Sequence, residues 1–218
     1  MIKNIYQLHD FNSESEIIQL QNANSVIIQE KYKELSPLIV HNSKSSDIQL
    51  ETIVNENPGY IINDNGRNII LQTFLDTGCD TMSIYKNEKL CKDLNIHHEL
   101  KECSQNFFNE YNCNINYALS MFKGNNAIEL TQNKRNILLL RSLQHPIVIY
   151  LFNPKHKEDI LAKENHEIKK WAYKINLEPN LILYIPPEWY YFYETTKPTV
   201  IGSIESDTYF TYFYNLLR

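Results

Sequence analysis

The fold is most clearly indicated by residues 178–194, which read Glu178-Pro-Asn-Leu-Ile-Leu-Tyr-Ile-Pro-Pro-Glu-Trp-Tyr-Tyr-Phe-Tyr-Glu194. Apolar and aromatic residues dominate on both sides of the proline pair, and such residues favour β-strands. The two prolines cannot donate backbone hydrogen bonds, so they favour a break between the strands. Because alternate residues of a strand face opposite sides, one set of the aromatic residues at 189–193 is expected to fill a core. The stretch therefore predicts two buried strands joined by a turn.

Runs of the same type recur along much of the chain and predict further strands. They lie at 35–41, 69–74, 137–140, 147–152, 200–204 and 209–214. The runs at 137–140 and 147–152 are expected to pair as a hairpin, because only a short segment separates them. In residues 86–121 the apolar side chains instead recur at three- and four-residue spacings, which are typical of helices, and residues 12–16 resemble a helix start. The whole pattern predicts an α+β chain that is mainly β.

The composition argues against several functional classes. The 218-residue chain has a net charge of −5 and scattered Lys and Arg residues, whereas proteins that bind nucleic acid through its phosphates usually carry a basic stripe. No apolar run approaches the roughly 20 residues of a membrane helix, and residues 1–6 lack an apolar signal core. We therefore expect a protein that binds no nucleic acid, has no membrane span and is not secreted.

The residues that could bind a metal or form disulfides are widely spaced. No Cys-x-x-Cys pair occurs among the four cysteines, Cys79, Cys91, Cys103 and Cys113, so free thiols in a reducing, intracellular compartment are expected. The seven histidines show neither His-x-x-x-His nor His-x-Asp spacing. Asparagine and isoleucine, with about 26 and about 27 copies, are unusually frequent. Both residues have AT-rich codons, so their frequency indicates an AT-rich genome of an organism or a virus.

Residues 74–79, Phe-Leu-Asp-Thr-Gly-Cys, contain the Asp-Thr-Gly sequence that carries the catalytic carboxylate in each half of an aspartic protease. Two such carboxylates must share a proton, so one copy per chain would require a homodimer. The downstream glycines Gly124 and Gly202 lie too far along the chain for the flap and the closing segment of that small fold. We expect Asp76 to lie at a turn and not to be catalytic.

Several stretches, taken in order, resemble the JmjC and related cupin-like hydroxylase family. The stretch at 178–194 is similar to the family's late apolar strand, which is followed by Ile-Pro-x-x-Trp-Trp-His and another strand. Asn136-Ile-Leu-Leu-Leu-Arg141 and Pro146-Ile-Val-Ile-Tyr-Leu-Phe-Asn-Pro154 resemble an Asn-led strand and a strand that ends in proline. Ser36-Pro-Leu-Ile-Val40 resembles an early strand of the family. The resemblance implies a double-stranded β-helix, a cupin-like or jelly-roll-like barrel, with flanking helices.

The same resemblance implies that the family's active site has been lost. The family holds iron with a His-x-Asp/Glu pair and a distal histidine, and the matching positions here are Leu130, Gln132 and Tyr191. Alkyl, neutral amide and phenol groups are poor substitutes for imidazole and carboxylate ligands of Fe(II). The position that commonly binds 2-oxoglutarate is occupied by His145. No catalytic residue, metal or cofactor is therefore expected.

We expect one cupin-like domain over residues 1–218, with a lead-in over 1–35 and barrel strands concentrated in 36–80 and 125–214. The implied function is a non-catalytic scaffold with a structural or protein–protein interaction role. The lost site and the composition together suit a virion component, such as a minor capsid protein, of a large DNA virus. Two alternatives stay open: an Fe(II)- and 2-oxoglutarate-dependent hydroxylase with an atypical metal site, and a small-molecule pocket inside the barrel.

The C-terminal segment is expected to mediate association with another subunit or a protein partner. Residues 208–218 carry five aromatic residues and two leucines but one charge, and exposed patches of this kind mark interaction sites. We expect the segment to form a final strand that packs partly on the domain's own core. The candidate interface residues are Tyr209, Phe210, Tyr212, Phe213, Tyr214, Leu216 and Leu217.

Overall fold

A computed structural model of the chain describes residues 17–21, 24–42, 44, 46–64, 67–76, 82–162 and 165–217. The structure is α+β and mainly β, as the sequence predicted. The expected helix start at 12–16 lies outside the described residues. Within the described residues, no helix has the length and apolar character needed to cross a bilayer.

The larger sheet contains seven strands: β1 (Ile18–Leu20), β2 (Leu38–His41), β5 (Ser83–Asn87), β6 (Asn112–Phe122), β9 (Ile137–Ser142), β12 (Leu181–Ile185) and β14 (Thr199–Thr208). Their order across the sheet is β1-β2-β12-β9-β14-β6-β5. The β1–β2 pair is parallel and the other neighbours are antiparallel. The long central strand β14 therefore joins β9 to β6.

The smaller sheet is antiparallel and is formed by β7 (Asn126–Ala127), β8 (Thr131–Gln132), β10 (Ile147–Phe152), β11 (Tyr173–Leu177) and β13 (Tyr190–Thr195). Its order is β11-β10-β13-β7, and β8 also pairs with β13. A separate hairpin is formed by β3 (Ile61–Asp64) and β4 (Arg67–Ile70). From β9 onward the chain passes repeatedly between the two sheets.

Short helices cover the outer faces of the sheets. They are α1 (Ser25–Tyr32), α2 (Leu50–Glu56), α3 (Leu71–Asp76), α4 (Glu88–Asp93), α5 (Ile96–Ser104), α6 (Lys157–Leu161), α7 (Asn165–Ile168) and α8 (Tyr209–Leu217). Asparagine side chains begin two of them, since Asn24 accepts a hydrogen bond from the Ile27 N–H and Asn87 from the Leu90 N–H. Such N-caps satisfy backbone donors that the first helical turn leaves without partners.

Apolar residues form three layers of core. The two sheets face each other across one layer, to which β9 contributes Leu138 and Leu140 and β10 contributes Ile149. The alternate residues of β9, such as Leu139, face the first helices of the chain on the other side of the larger sheet. A third, smaller layer lies between the outer face of the smaller sheet and α6–α7. The region between the two sheets is therefore the interior of the domain.

Most of the predicted strands are confirmed, but the predictions for residues 86–121 and 209–214 are wrong. The sequence predicted helix over residues 86–121, but residues 112–122 form strand β6. β6 is an internal strand, and its residues 118–122 are buried on both faces. A strand buried in this way has a run of apolar residues that can be mistaken for a helical pattern. Residues 209–214 belong to helix α8 rather than to a final strand. The Thr208 hydroxyl accepts a hydrogen bond from the Thr211 N–H, and the Thr211 hydroxyl accepts one from the Thr208 N–H, so the helix begins at a reciprocal cap.

One further predicted strand and one predicted pairing also differ from the structure. The strand expected at 69–74 ends at Ile70, where α3 begins. Strands β9 and β10 are both buried, but they do not form a hairpin, since β9 pairs with β12 and β14 whereas β10 pairs with β11 and β13. Leu143 is buried in the turn between them, where the chain passes from the larger sheet to the smaller one.

Candidate functional site

Tyr191 lies in the interior of the domain, on the face of β13 that is directed toward the larger sheet. Its neighbours at alternate positions, Trp189 and Tyr193, face the same way and are also buried. The Tyr193 ring meets the Phe122 ring edge to face with their centroids 5.7 Å apart, and the Trp189 indole N–H donates to the Leu35 carbonyl over 3.2 Å. The aromatic run at 189–193 therefore fills the core, as the alternation of the strand predicts.

Leu130 and Gln132 do not share a face with Tyr191. In the antiparallel pairing of β8 with β13, Gln132 lies opposite Tyr190, and opposed residues point to the same side of a sheet. Gln132 therefore lies on the outer face of the smaller sheet, where its amide donates to the Glu188 carboxylate over 2.8 Å. Leu130 packs against the apolar layer on that outer face. The three positions that match the family's iron ligands consequently do not converge.

His145 lies in the turn between β9 and β10, away from Tyr191. On β10, the residue opposite Tyr191 is Leu151, and the four steps of extended strand from Ile147 to Leu151 span about 13 Å. The backbone of His145 is held by Thr199, whose hydroxyl lies 3.4 Å from both the His145 nitrogen and the His145 carbonyl oxygen. The carbonyl of His145 also accepts a hydrogen bond from the Ser142 hydroxyl. The turn is thus a structural connection between the sheets.

Four charged side chains form a continuous chain of ion pairs beside Tyr191. The Lys86 ammonium pairs with one carboxylate oxygen of Glu205 and also donates to the Tyr191 hydroxyl over 3.3 Å. The other Glu205 oxygen accepts a hydrogen bond from Arg135 Nε over 3.1 Å. A terminal guanidinium nitrogen of Arg135 lies 2.7 Å from an Asp207 carboxylate oxygen. We call Lys86, Glu205, Arg135 and Asp207 the ion-pair chain.

Three structural elements position the ion-pair chain. Glu205 and Asp207 lie two residues apart on β14, with an irregularity in the pairing to β6 between them. Lys86, near the end of β5, has a left-handed backbone with a φ of 46°, and its N–H donates to the Ser120 hydroxyl over 2.9 Å. Arg135 precedes β9, and the N–H of the next residue, Asn136, donates to the second Asp207 oxygen over 3.3 Å. The ion-pair chain therefore links β14 to β5, which lies beyond β6, and to the segment that precedes β9.

The electrostatics of the ion-pair chain favour the ionised form of Glu205. Burial alone would raise the pKa of Glu205, but the charges and hydrogen bonds of Lys86 and Arg135 outweigh burial and hold that pKa below its ordinary value. Burial also acts to lower the pKa of Arg135, and its interactions with Asp207 and Glu205 raise the pKa above the ordinary value instead. Two cations and two anions cancel, so the cluster carries no net charge.

Tyr191 remains a neutral phenol in this environment. Burial raises its pKa well above the ordinary value, and the neighbouring Tyr85 and Glu205 act in the same direction. Both oxygens of Glu205 and both oxygens of Asp207 already accept hydrogen bonds from the protein. A metal ion at this place would have to displace these contacts, because carboxylate oxygens and imidazoles are its usual ligands. Across the parts of the chain that the structure describes, no group of three His, Cys, Asp or Glu side chains is arranged to hold a metal ion.

Asp76 is the last residue of helix α3 and is exposed. In an aspartic protease the two catalytic carboxylates must face each other in order to share a proton. Here the residue belongs to a helix rather than to the turn that the sequence predicted, and the following residues 77–81 lie outside the described part. The prediction that Asp76 is not catalytic stays a prediction.

A polar cleft of about 990 Å³ lies between the loop that follows β2, the helix α2 and the helix α5. Arg141, at the end of β9, lines this cleft and is almost completely buried. It donates to the carbonyl of Lys44 over 2.9 Å and to that of Pro179 over 3.4 Å, and a guanidinium nitrogen lies 3.1 Å from a Glu99 carboxylate oxygen. Arg141 therefore joins three segments at one wall of the cleft, which is a structural role.

The candidate interface residues lie on helix α8 and not on a strand. Tyr209, Phe210 and Phe213 are about 60% exposed, whereas Tyr212 is half-buried. Tyr212 meets the Phe213 ring edge to face, with the centroids 5.9 Å apart. The remaining candidates, Tyr214, Leu216 and Leu217, have side chains outside the described part of the chain.

The sequence analysis did not predict the ion-pair chain, although the spacing of its two acidic residues is recognisable in the sequence. Glu205 and Asp207 lie at alternate positions directly after the run at 200–204, which the sequence predicted as a strand, and this spacing places two carboxylates close together at the end of a buried strand. Buried carboxylates need cationic or hydrogen-bonding partners. Their partners Lys86 and Arg135 lie far away in the sequence, and nothing in the sequence around them indicates the pairing.

No family model matches this chain, and no curated protein matches it.

Proposed function

We propose that this chain is a non-catalytic scaffold of the cupin-like type, with a structural or protein–protein interaction role. The proposal combines the resemblance in the sequence with the arrangement of side chains in the interior of the domain. In the related enzymes an iron ion and 2-oxoglutarate would occupy such an interior, whereas this chain has its own ion pairs there.

A double-stranded β-helix is the fold that we propose for the two-sheet arrangement. Its support is the path of the chain, since β9, β12 and β14 belong to the larger sheet while β10, β11 and β13 belong to the smaller one. Strands of a jelly-roll-like barrel alternate between two facing sheets in a comparable way. The shared apolar layer between the sheets is consistent with this assignment.

The observation that carries the proposal is the ion-pair chain beside Tyr191. Its Asp207 side chain is fully buried and its Glu205 side chain is 19% exposed, so both carboxylates depend on Lys86 and Arg135 for compensation. Removing charged groups from water is costly unless they are paired in this way. A site that is filled by mutually satisfied charges is suited to holding strands together and is poorly suited to exchanging substrates.

The interaction role and the viral origin rest on the exposed surface and on the composition of the chain. The exposed aromatic side chains on α8 support an interaction role, because such residues anchor many protein interfaces. The high frequency of asparagine and isoleucine, together with the replaced ligand positions, supports a virion component of a large DNA virus. On this proposal the protein works in an intracellular compartment or in the virion.

Anaerobic titration with Fe(II), combined with an assay of 2-oxoglutarate consumption, tests the proposal. We expect no stoichiometric iron binding and no turnover of 2-oxoglutarate above a buffer control. Lys86→Met should not create either activity, because the ligand positions remain unsuitable. Stoichiometric iron binding with cosubstrate-dependent turnover would instead establish an atypical hydroxylase and overturn the proposal.

A further inference from the structure

The polar cleft that Arg141 lines has walls from two separate parts of the chain. Residues between 42 and 57 form one wall, and residues between 93 and 105 form the other. Arg141 connects the walls, because its guanidinium donates to the Lys44 carbonyl over 2.9 Å and lies 3.1 Å from a Glu99 carboxylate oxygen. The Lys44 ammonium also lies 3.1 Å from a Glu102 carboxylate oxygen on the opposite wall. The cleft is therefore formed by the protein's own contacts before a ligand enters, as is usual for small-molecule sites.

The lining of the polar cleft is acidic. Five carboxylates and two cations give it a formal net charge of −3. The two cations, Arg141 and Lys44, are each paired with a carboxylate of the same lining. In the described part of the chain the other three carboxylates form no ion pair, and they belong to Asp47, Glu56 and Asp93. Asp93 accepts a hydrogen bond from the Tyr60 hydroxyl over 2.6 Å, which leaves its charge without compensation. The cleft thus favours a ligand with positive charge.

The carboxylates of the polar cleft do not converge on one point. Among the residues that the structure describes, no three His, Cys, Asp or Glu side chains are placed so that they could hold a metal ion, whereas a metal site brings several ligand atoms around one centre. The volume of the cleft is about 990 Å³, at the upper end of the range of about 300–1,000 Å³ for pockets that hold drug-sized molecules. The lining therefore suits a ligand of that size whose positive charges are separated.

Uncharged hydrogen-bonding groups lie between the carboxylates. Five amides and one hydroxyl belong to the lining. Gln49 and Asn95 stand at the starts of α2 and α5, but their side chains make no capping hydrogen bond there. The side-chain nitrogen of Asn42 is shielded from solvent and has no hydrogen-bond partner in the described part of the chain, and a buried donor without an acceptor is costly. Amides both donate and accept hydrogen bonds, as hydroxyl groups do, so this lining also favours a ligand that carries hydroxyl groups.

We propose that the polar cleft binds an amino sugar, that is, a ring-based ligand that carries several ammonium groups and several hydroxyl groups. The ammonium groups pair with Asp47, Glu56 and Asp93, and the hydroxyl groups exchange hydrogen bonds with the amides of both walls. Arg141 lies on the same side of the larger sheet as Leu139, which faces the first helices of the chain. The cleft is therefore separate from the interior between the sheets, and this binding function goes beyond the scaffold role.

Isothermal titration calorimetry of the full chain with kanamycin A, an amino sugar, tests the proposal at low ionic strength. The wild type should bind one molecule per chain, with an affinity that falls as salt is added. The double variant Glu56→Gln/Asp93→Asn should weaken binding about tenfold, as expected from the loss of two solvent-exposed ion pairs. The matched control is Glu129→Gln/Glu158→Gln, which removes the same charge from exposed residues outside the cleft and should bind as the wild type does.

Spermine has the same number of amino groups as kanamycin A but no hydroxyl groups, so it should bind more weakly at the same ionic strength. Urea midpoints verify that each variant is folded, and Asp47→Asn, at an exposed loop residue, should weaken binding by a smaller factor than the double variant. The proposal is overturned if kanamycin A does not bind or if the folded Glu56/Asp93 variant binds it as the wild type does. Equal or tighter binding of spermine overturns the assignment to an amino sugar. None of these results alters the iron and 2-oxoglutarate assays, so the two proposals fail separately.

Discussion

Replacing Glu205 with glutamine should destabilise the protein much more than the same replacement at Glu194. Each of these glutamates pairs with a lysine, Glu205 with Lys86 and Glu194 with Lys169. Glu205 is the more enclosed of the two, with 19% side-chain exposure against 31%, and it has Arg135 as a second cationic partner. Glutamine keeps the size of the side chain, so the comparison isolates the effect of the charge.

The expected loss of stability in Glu205→Gln follows from the burial and the remaining contacts of its partners, Lys86 and Arg135. Removing one member of a buried ion pair costs about 3–5 kcal/mol, because the remaining charge loses its compensation. Arg135 retains Asp207, and 24% of the Lys86 side chain reaches solvent. We therefore expect a loss of about 2–3 kcal/mol for Glu205→Gln, or a fall of about 5–10 °C in Tm for a chain of this length. The more open pair of Glu194 should contribute less than about 1 kcal/mol.

The pH dependence separates the contribution of charge from that of packing. Burial acts to raise the pKa of Glu205, but Lys86 and Arg135 lower it below the ordinary value. A carboxylate whose folded-state pKa is lowered stabilises the fold above its unfolded-state pKa of about 4.3 and loses this effect as the pH falls through the folded-state pKa. The difference between wild type and Glu205→Gln should therefore be complete at about pH 7 and should shrink below about pH 4.

Urea denaturation of the wild type, Glu205→Gln and Glu194→Gln at both pH values measures these differences. The m-values should be alike in all three proteins, so that differences between their urea midpoints report differences in stability. The reasoning is refuted if Glu205→Gln and Glu194→Gln have the same midpoint at neutral pH. It is also refuted if the loss in Glu205→Gln is as large in acid as at neutral pH, because a packing defect would then explain it.

Three further predictions concern other parts of the structure. Arg141→Met should lower the free energy of unfolding by about 2–3 kcal/mol in urea titrations, because it leaves Glu99 and two carbonyl groups without a buried partner; Glu99→Gln should cost less. Gly202→Ala should cost about 1–3 kcal/mol by the same measurement, since a Cβ there would lie 2.4 Å from a terminal methyl carbon of Leu100. Introducing the iron-ligand residue types of the JmjC and cupin-like hydroxylases should not create an iron site in an anaerobic titration, because two of the three positions face outward; the triple variant is Leu130→His, Gln132→Asp and Tyr191→His.

The strands that the sequence predicted correctly are those whose residues have a strong intrinsic preference for β-structure. The runs at 147–152 and 200–204 consist largely of β-branched, leucine and aromatic residues, and both are strands. The mixed segment Asn112–Phe122 was predicted as helical, but it is held as a strand by its pairing with β14 and β5. Tertiary pairing of this kind overrides local preference because it supplies backbone partners on both sides of the strand. The aromatic segment after Thr208 shows the opposite case, in which a local hydroxyl cap begins a helix despite residues that favour strands.

By itself, the sequence determined the α+β, mainly β character of the chain, the burial of the aromatic run at 189–193 and the residue types at the positions that match the family's ligands. These properties depend on composition and on alternation within one short segment. Only the tertiary structure decided that Gln132 and Tyr191 lie on opposite faces of one sheet, because the face of each residue depends on the register between β8 and β13. The tertiary structure also brought Lys86 and Glu205 together across 119 positions of the chain. Charges so far apart in sequence meet because β5, which carries Lys86, and β14, which carries Glu205, both pair with β6 in the folded protein. The local sequence does not indicate that arrangement.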